Sequence, residues 1–146
     1  MGLLSIFILI LFNLFATILS AQTRSSAVSL VQTNGNFILT KLTSDINQAD
    51  SIVSPASIGS SLTSMTIKIG TTDATYSLAN GRLVLVDSSG TFNLNDSDTT
   101  VSNFVATRIG NSGGKAGIQL QFSLTSNVVD NSNIKTKDFQ TFAAIR

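Results

Sequence analysis

The chain of 146 residues contains no cysteine, histidine, tryptophan or glutamate, and it has a single proline. Without cysteine there is no disulfide framework, and without cysteine and histidine the usual ligand sets for zinc, iron and copper cannot be built. A hydroxyl nucleophile also needs a base, which is most often histidine. We therefore predict that the protein is not an enzyme and that it has no cofactor and no metal centre.

Charge is scarce as well. The chain has nine Lys and Arg residues and eight Asp residues. Charged residues make up 12% of the chain, and they are scattered singly. Neutralising phosphates requires clustered cations. The sequence therefore predicts no nucleic-acid partner.

Long apolar stretches are confined to the N-terminus, where residues 3–21 read LLSIFILILFNLFATILSA without a charge. As a helix this segment spans about 28 Å, close to the ~30 Å hydrocarbon core of a bilayer. Its length and the lack of a preceding Lys or Arg favour a membrane anchor; a cleavable signal peptide is the alternative, because Leu19-Ser20-Ala21 resembles a cleavage site. We call residues 1–22 the stem. The positions predicted to face lipid or other stems are Leu3, Ile6, Leu9, Ile10, Asn13, Leu14, Thr17 and Ile18.

Residues 23–52 continue the helical pattern in amphipathic form. Apolar or small residues recur at spacings of three and four. They are Val28, Val31, Gly35, Ile38, Leu42, Ile46 and Ala49. No proline precedes Pro55, so we predict one helix from about residue 2 to about residue 50. Four of its side chains, Val31, Ile38, Leu42 and Ile46, are predicted to pack on the following domain.

The rest of the chain, residues 53–146, has a strand-and-turn pattern, and we call it the head. Strands are predicted at residues 62–69, 74–78, 83–86, 91–94, 100–109, 118–126 and 135–145. Asn80-Gly81 is typical of a type I′ hairpin turn. The predicted fold class is α+β, with a long N-terminal helix packed on one small antiparallel sheet of about five to seven strands.

The head contains three short motifs that resemble binding or modification sites. Asp96 and Asp98, in the loop NLNDSD, could bind calcium, but the loop lacks the glycine and terminal glutamate of an EF-hand, and a solvated loop is the favoured interpretation. Asn95 begins the glycosylation-like triplet NDS. Residues 110–114 (GNSGG) are predicted to form a turn, because a phosphate-binding loop must open a helix.

The order of an apolar helix, an amphipathic continuation and an antiparallel sheet resembles the type IV pilin and type II secretion pseudopilin superfamily. MGLLSIFILIL at residues 1–11 is similar to the middle of such a stem, and NGNFILTKLTSDINQADSI at residues 34–52 resembles the passage from helix to head. TYSLANGRLVL at residues 75–85 and KDFQTFAAIR at residues 137–146 most resemble J-type minor pseudopilins.

One hallmark of that family is missing. The family has a basic leader, a cleaved glycine and a glutamate near the start of the stem, whereas nothing precedes Met1 here and the chain has no glutamate. Two explanations are open: Met1 lies inside a longer chain with a leader upstream, or the protein is a degenerate member. The position of Met1 within the stem-like motif favours the first.

The resemblance implies a structural subunit held in the inner membrane by its stem, with its head outside the cytoplasm, that joins a pilus or pseudopilus by helix packing. Its expected partners are membrane lipid, other pilin or pseudopilin subunits and the inner-membrane assembly machinery. Ser5, Asn13, Thr17 and Ser20 are expected to influence how stems associate. The alternative is a tethered or secreted β-domain that binds a surface ligand, such as an adhesin or carbohydrate-binding module. Against it, the sequence has no Trp, and Phe104, Phe122, Phe139 and Phe142 are predicted to lie in the core.

Overall fold

The computed structural model describes residues 2–110, 115–128 and 135–145, with side chains from Ile6 onward. Its elements in chain order are α1 (Gly2–Gln48), β1 (Ser51–Ser54), β2 (Ser61–Leu62), β3 (Ser64–Ile69), β4 (Thr72–Ala79), β5 (Arg82–Asp87), β6 (Gly90–Asn93), β7 (Thr99–Ile109), β8 (Gly117–Ser126) and β9 (Thr136–Ala144). The fold is α+β, as predicted, because one long helix packs on antiparallel sheets. The predicted turn at residues 110–114 lies mostly outside the described residues.

Helix α1 is continuous over 47 residues, so the prediction of a single helix is confirmed. It ends at Gln48, slightly before the predicted end, because Asp50 is already hydrogen-bonded to the adjoining sheet and the turn that follows β3. The Asp50 amide donates to the Lys68 carbonyl at 2.8 Å, and its carboxylate accepts from the Gly70 amide at 2.6 Å. Strand β1, which the sequence analysis missed, follows at once and pairs with β3.

The strands form two sheets rather than the single predicted one. The five-stranded sheet has the order β1-β3-β4-β5-β6, and the four-stranded sheet has the order β2-β7-β8-β9. The predicted strand at residues 62–69 is divided at Thr63 between the two sheets. Alternation of side chains shows which residues share a face, but it does not show which sheet a strand joins. The one-sheet prediction was wrong for this reason.

Helix α1 lies mainly on β8 and β9 and also touches β3 and β7. Phe122 and Phe139 are paired across β8 and β9, and their rings stack with centroids 5.3 Å apart. One buried apolar cluster contains residues of α1 and of both sheets. The second half of the helix is therefore part of the core of the head.

The turn between β4 and β5 has the predicted type I′ conformation. Asn80 and Gly81 have φ angles of 50° and 74°, and Ala79 pairs with Arg82. Positive φ at both positions is what this turn requires, and Asn-Gly tolerates it.

Candidate functional site

The apolar first part of α1 does not contribute to the hydrophobic core of the head. Residues 6–22 are all exposed, and burial against the head begins at Ala27. Eleven large apolar side chains lie in this part: Ile6, Phe7, Ile8, Leu9, Ile10, Leu11, Phe12, Leu14, Phe15, Ile18 and Leu19. They surround the helix instead of forming one face, which is typical of a helix immersed in lipid or in the middle of a bundle.

The helix is long and apolar enough to cross a membrane. Within Ile6–Gln48, a window of 18 residues has a mean hydropathy of 2.0, and none of that window is buried in the head. A helix that is apolar only because it fills a protein core would be covered by its own fold. The described residues therefore have one candidate membrane-spanning segment, at the predicted place.

The positions predicted for the stem are exposed on this segment. These are Ile6, Leu9, Ile10, Asn13, Leu14, Thr17 and Ile18. Leu3 is helical, but its side chain lies outside those described.

Hydroxyl groups of the apolar segment are satisfied by the helix itself. Thr17 Oγ1 donates to the Asn13 carbonyl at 2.8 Å, Ser20 Oγ to the Ala16 carbonyl at 3.0 Å, and Thr23 Oγ1 to the Leu19 carbonyl at 3.1 Å. Such bonds let hydroxyl side chains sit in lipid at little cost. Asn13 has no corresponding side-chain bond among the described residues.

The four side chains predicted to pack on the head lie in the hydrophobic core. Val31, Ile38, Leu42 and Ile46 are all buried in the common cluster. Val28, on the same predicted stripe, is instead 49% exposed. It lies about one helical turn before Val31, near the point where α1 enters the head.

Gly35 allows a close approach between helix and sheet. A Cβ atom at this position would lie 2.0 Å from Cζ and 2.3 Å from Cε1 of Phe139. Only glycine leaves room for this ring, which is also stacked on Phe122. The glycine that weakens the helix in isolation is thus the contact point for the head.

Asp45 adds a buried polar contact that the sequence analysis missed. It is 7% exposed, accepts a hydrogen bond from the fully buried Tyr76 hydroxyl, and pairs with Lys41 Nζ at 3.0 Å. Burial, and then the hydrogen bond and negative charge of Asp45, raise the pKa of Tyr76 well above its ordinary value. Asp45 immediately precedes Ile46 of the apolar stripe. Its sequence context resembled a solvated helix surface, so its burial was not predicted.

A second contact ties the lower part of the amphipathic helix to β9. Lys137 donates to the side chain of Gln32 and lies 5.4 Å from the Phe139 ring centroid. Its ammonium group therefore links Gln32 of the helix to the same aromatic ring that Gly35 contacts.

The other predicted motifs do not form a metal-binding or glycosylation site within the described residues. Asp96 and Asp98 are exposed, and in the described part of the chain no group of three Asp, Glu, His or Cys residues is placed to hold a metal ion. Asn95 is buried: its side chain accepts from the Leu83 amide at 2.9 Å and donates to the Thr99 carbonyl at 2.8 Å. This amide is a structural link and is closed to a glycosylating enzyme in the folded head.

The prediction that Phe142 lies in the core is wrong. It is 57% exposed, and its ring extends over Gly117, where a Cβ atom would lie 2.5 Å from Cζ. Alternation along β9 places Phe139 inward and Phe142 outward. Phe104, Phe122 and Phe139 are buried as predicted.

Comparison with known proteins identifies no relative, since no family model, no curated protein and no solved structure matches the chain. The resemblance to pilins and pseudopilins therefore stays a prediction.

Proposed function

We propose that the protein is a membrane-anchored structural subunit that assembles, through its helical stem, into a filament of the pilus or pseudopilus type. One observation carries the proposal: α1 is a single helix whose first part is apolar on all sides and free of the head, while its second part is built into the head core. A subunit of this shape transmits any displacement of its stem directly to its head.

The free energy that the exposed stem would gain by being removed from water supports this function. Burying one large apolar side chain stabilises a protein by roughly 1.5–3 kcal/mol. For the eleven apolar side chains of the stem the total is about 16–33 kcal/mol, and this stabilisation is absent while the stem is exposed to water. Lipid provides the cover while the subunit is in the membrane, and neighbouring stems provide it in a filament.

Within lipid the apolar side chains give no net preference for other stems, because lipid tails are equally apolar. Packing and interhelical hydrogen bonds then decide association. The expected partners are lipid, other subunits of the same kind and the inner-membrane assembly machinery, with the head outside the cytoplasm.

Membrane extraction and filament recovery test the proposal. The tagged full-length chain, in bacteria with a filament assembly system, should resist alkaline carbonate and should also appear among sheared filaments. Ile10→Lys places a charge in the apolar segment at a cost of about 3 kcal/mol and should reduce both signals. Ser26→Lys makes the same change on the exposed helix beyond the segment and should keep carbonate resistance.

Two results would contradict the proposal. One is a chain that carbonate releases as readily as a soluble protein. The other is a secreted head whose measured mass shows that residues 1–21 have been removed, which would support the signal-peptide interpretation.

A second candidate, a tethered domain that binds a neutral carbohydrate, is favoured by the exposure of Phe142. Gln119 lies directly across from Phe142, and Gln121 pairs with Gln140 on the same outer face. An aromatic ring beside uncharged amides offers stacking and hydrogen bonds to a polyhydroxyl ligand. Retention of the full chain on amylose, cellulose or chitin that Phe142→Ala abolishes and Phe92→Ala preserves would favour this function; Phe92 is a similarly exposed control.

A further inference from the structure

Asn13 is an amide in the middle of an apolar segment. It lies ten positions after Leu3 and eight positions before Ala21, so at about 1.5 Å per residue it is about 15 Å and 12 Å from the two ends. If the stem spans a bilayer, as the proposed function requires, this places the side chain near the midplane. A polar group at that depth without a partner is strongly unfavourable.

The helix does not solve this problem for Asn13 as it does for its neighbours. Thr17, Ser20 and Thr23 each donate to a carbonyl one turn earlier. Among the described residues the Asn13 amide has no such partner, and its side chain is exposed on the helix. Its two N–H donors and its carbonyl oxygen are therefore available to another molecule.

We infer that the stems of two copies of this chain pair in the membrane, with Asn13 of one copy hydrogen-bonded to Asn13 of the other. This inference rests on the proposed membrane anchoring. An amide is both donor and acceptor, so it is complementary to itself. Two single-pass copies with the same orientation place their Asn13 side chains at the same depth in the membrane. An unrelated helix need not have a polar side chain at that depth.

Small residues next to Asn13 allow the two backbones to approach. Ala16 and Ser20 form a small-x-x-x-small pair on the same side of the helix as Asn13. Such pairs favour right-handed crossings of about 40°. A single Asn in a helical interface also sets the register of the pair.

The position of the head agrees with a crossed pair. At about 100° per residue, Asn13 falls on the same side of α1 as Ile38 and Leu42, which face the head. Two helices running side by side would therefore drive each head into its partner. Ala27, the first buried residue, lies about 21 Å beyond Asn13, and there a crossing of about 40° has already moved the two axes about 15 Å apart sideways.

Self-association of the full-length chain in phosphatidylcholine vesicles tests the inference by energy transfer between labelled copies. Asn13→Leu should weaken association about 3- to 30-fold, the range measured for single interhelical hydrogen bonds. Asn13→Gln keeps the amide and should retain most of it. Leu11→Ala alters the opposite side of the helix and should leave association unchanged.

Disulfide formation gives an independent readout, because the chain contains no cysteine of its own. Ser20→Cys should form dimers on oxidation in vesicles, and Leu11→Cys should not. Equal association of Asn13→Leu and wild type, or equal cross-linking at the two positions, would overturn the inference. A carbonate-resistant but monomeric wild type would overturn it alone, whereas a chain that carbonate extracts would overturn the membrane anchoring on which it rests.

Discussion

Gly35→Ala gives a sharp test of how the helix is joined to the head. In an isolated helix this substitution stabilises by about 1 kcal/mol, because alanine has the higher helix propensity. Here the added Cβ would lie 2.0–2.5 Å from three atoms of the Phe139 ring, which is also stacked on Phe122. Overpacking of this kind costs about 1–3 kcal/mol. We therefore expect a net destabilisation of up to about 2 kcal/mol.

Phe139→Leu supplies the matched background, since leucine lacks the outer ring atoms that the Cβ would meet. In that background Gly35→Ala should recover its helix-propensity gain and stabilise by up to about 1 kcal/mol. The four proteins form a double-mutant cycle, measured by urea unfolding of the full chain in detergent. Circular dichroism of Tyr76, the only tyrosine, reports on the head core. Stabilisation by Gly35→Ala in the wild-type background would refute the proposed contact.

Three further predictions concern the polar groups of the head. Tyr76→Phe should lower the free energy of unfolding by about 1.5–3 kcal/mol at neutral pH, because it removes a hydrogen bond to a carboxylate. Above about pH 10 the unfolded wild type loses a tyrosine proton that the folded state keeps. In urea titrations at several pH values, wild-type stability should therefore fall more steeply than that of Tyr76→Phe, by up to about 1.4 kcal/mol per pH unit. Asn95→Ala should cost about 2–4 kcal/mol by leaving the Leu83 amide and the Thr99 carbonyl unpaired, whereas the exposed Asp98→Ala should change the urea midpoint little. Millimolar calcium should leave the melting temperature unchanged, and a rise that Asp96→Ala abolishes would restore the calcium hypothesis.

Much of the fold could be predicted because its signals are local. The apolar run, the stripe of Ile38, Leu42 and Ile46, and the Asn80-Gly81 turn each depend on a few neighbouring residues. The division into two sheets depends instead on pairings between distant strands. Nothing in the alternation around Thr63 shows that the chain changes sheet there.

The functional surface was predicted less evenly. The stem could be located because an uncharged segment of that length has few other interpretations. Asp45 and Gly35 were harder to interpret, because a buried carboxylate and a helix-weakening glycine both violate local rules. Each violation is compensated by a distant partner, Tyr76 or Phe139, which only the folded chain brings near.

These compensations all lie on the part of α1 that enters the head. The helix is bonded or packed at Gln32 by Lys137, at Gly35 by Phe139 and at Asp45 by Tyr76. These contacts extend along about three and a half turns of the helix. A helix held at several levels cannot rotate or slide within the head without breaking buried contacts. The direction of the exposed stem is therefore set by the head. This rigid coupling is what a subunit needs if packing between stems is to determine how the heads are arranged in a filament.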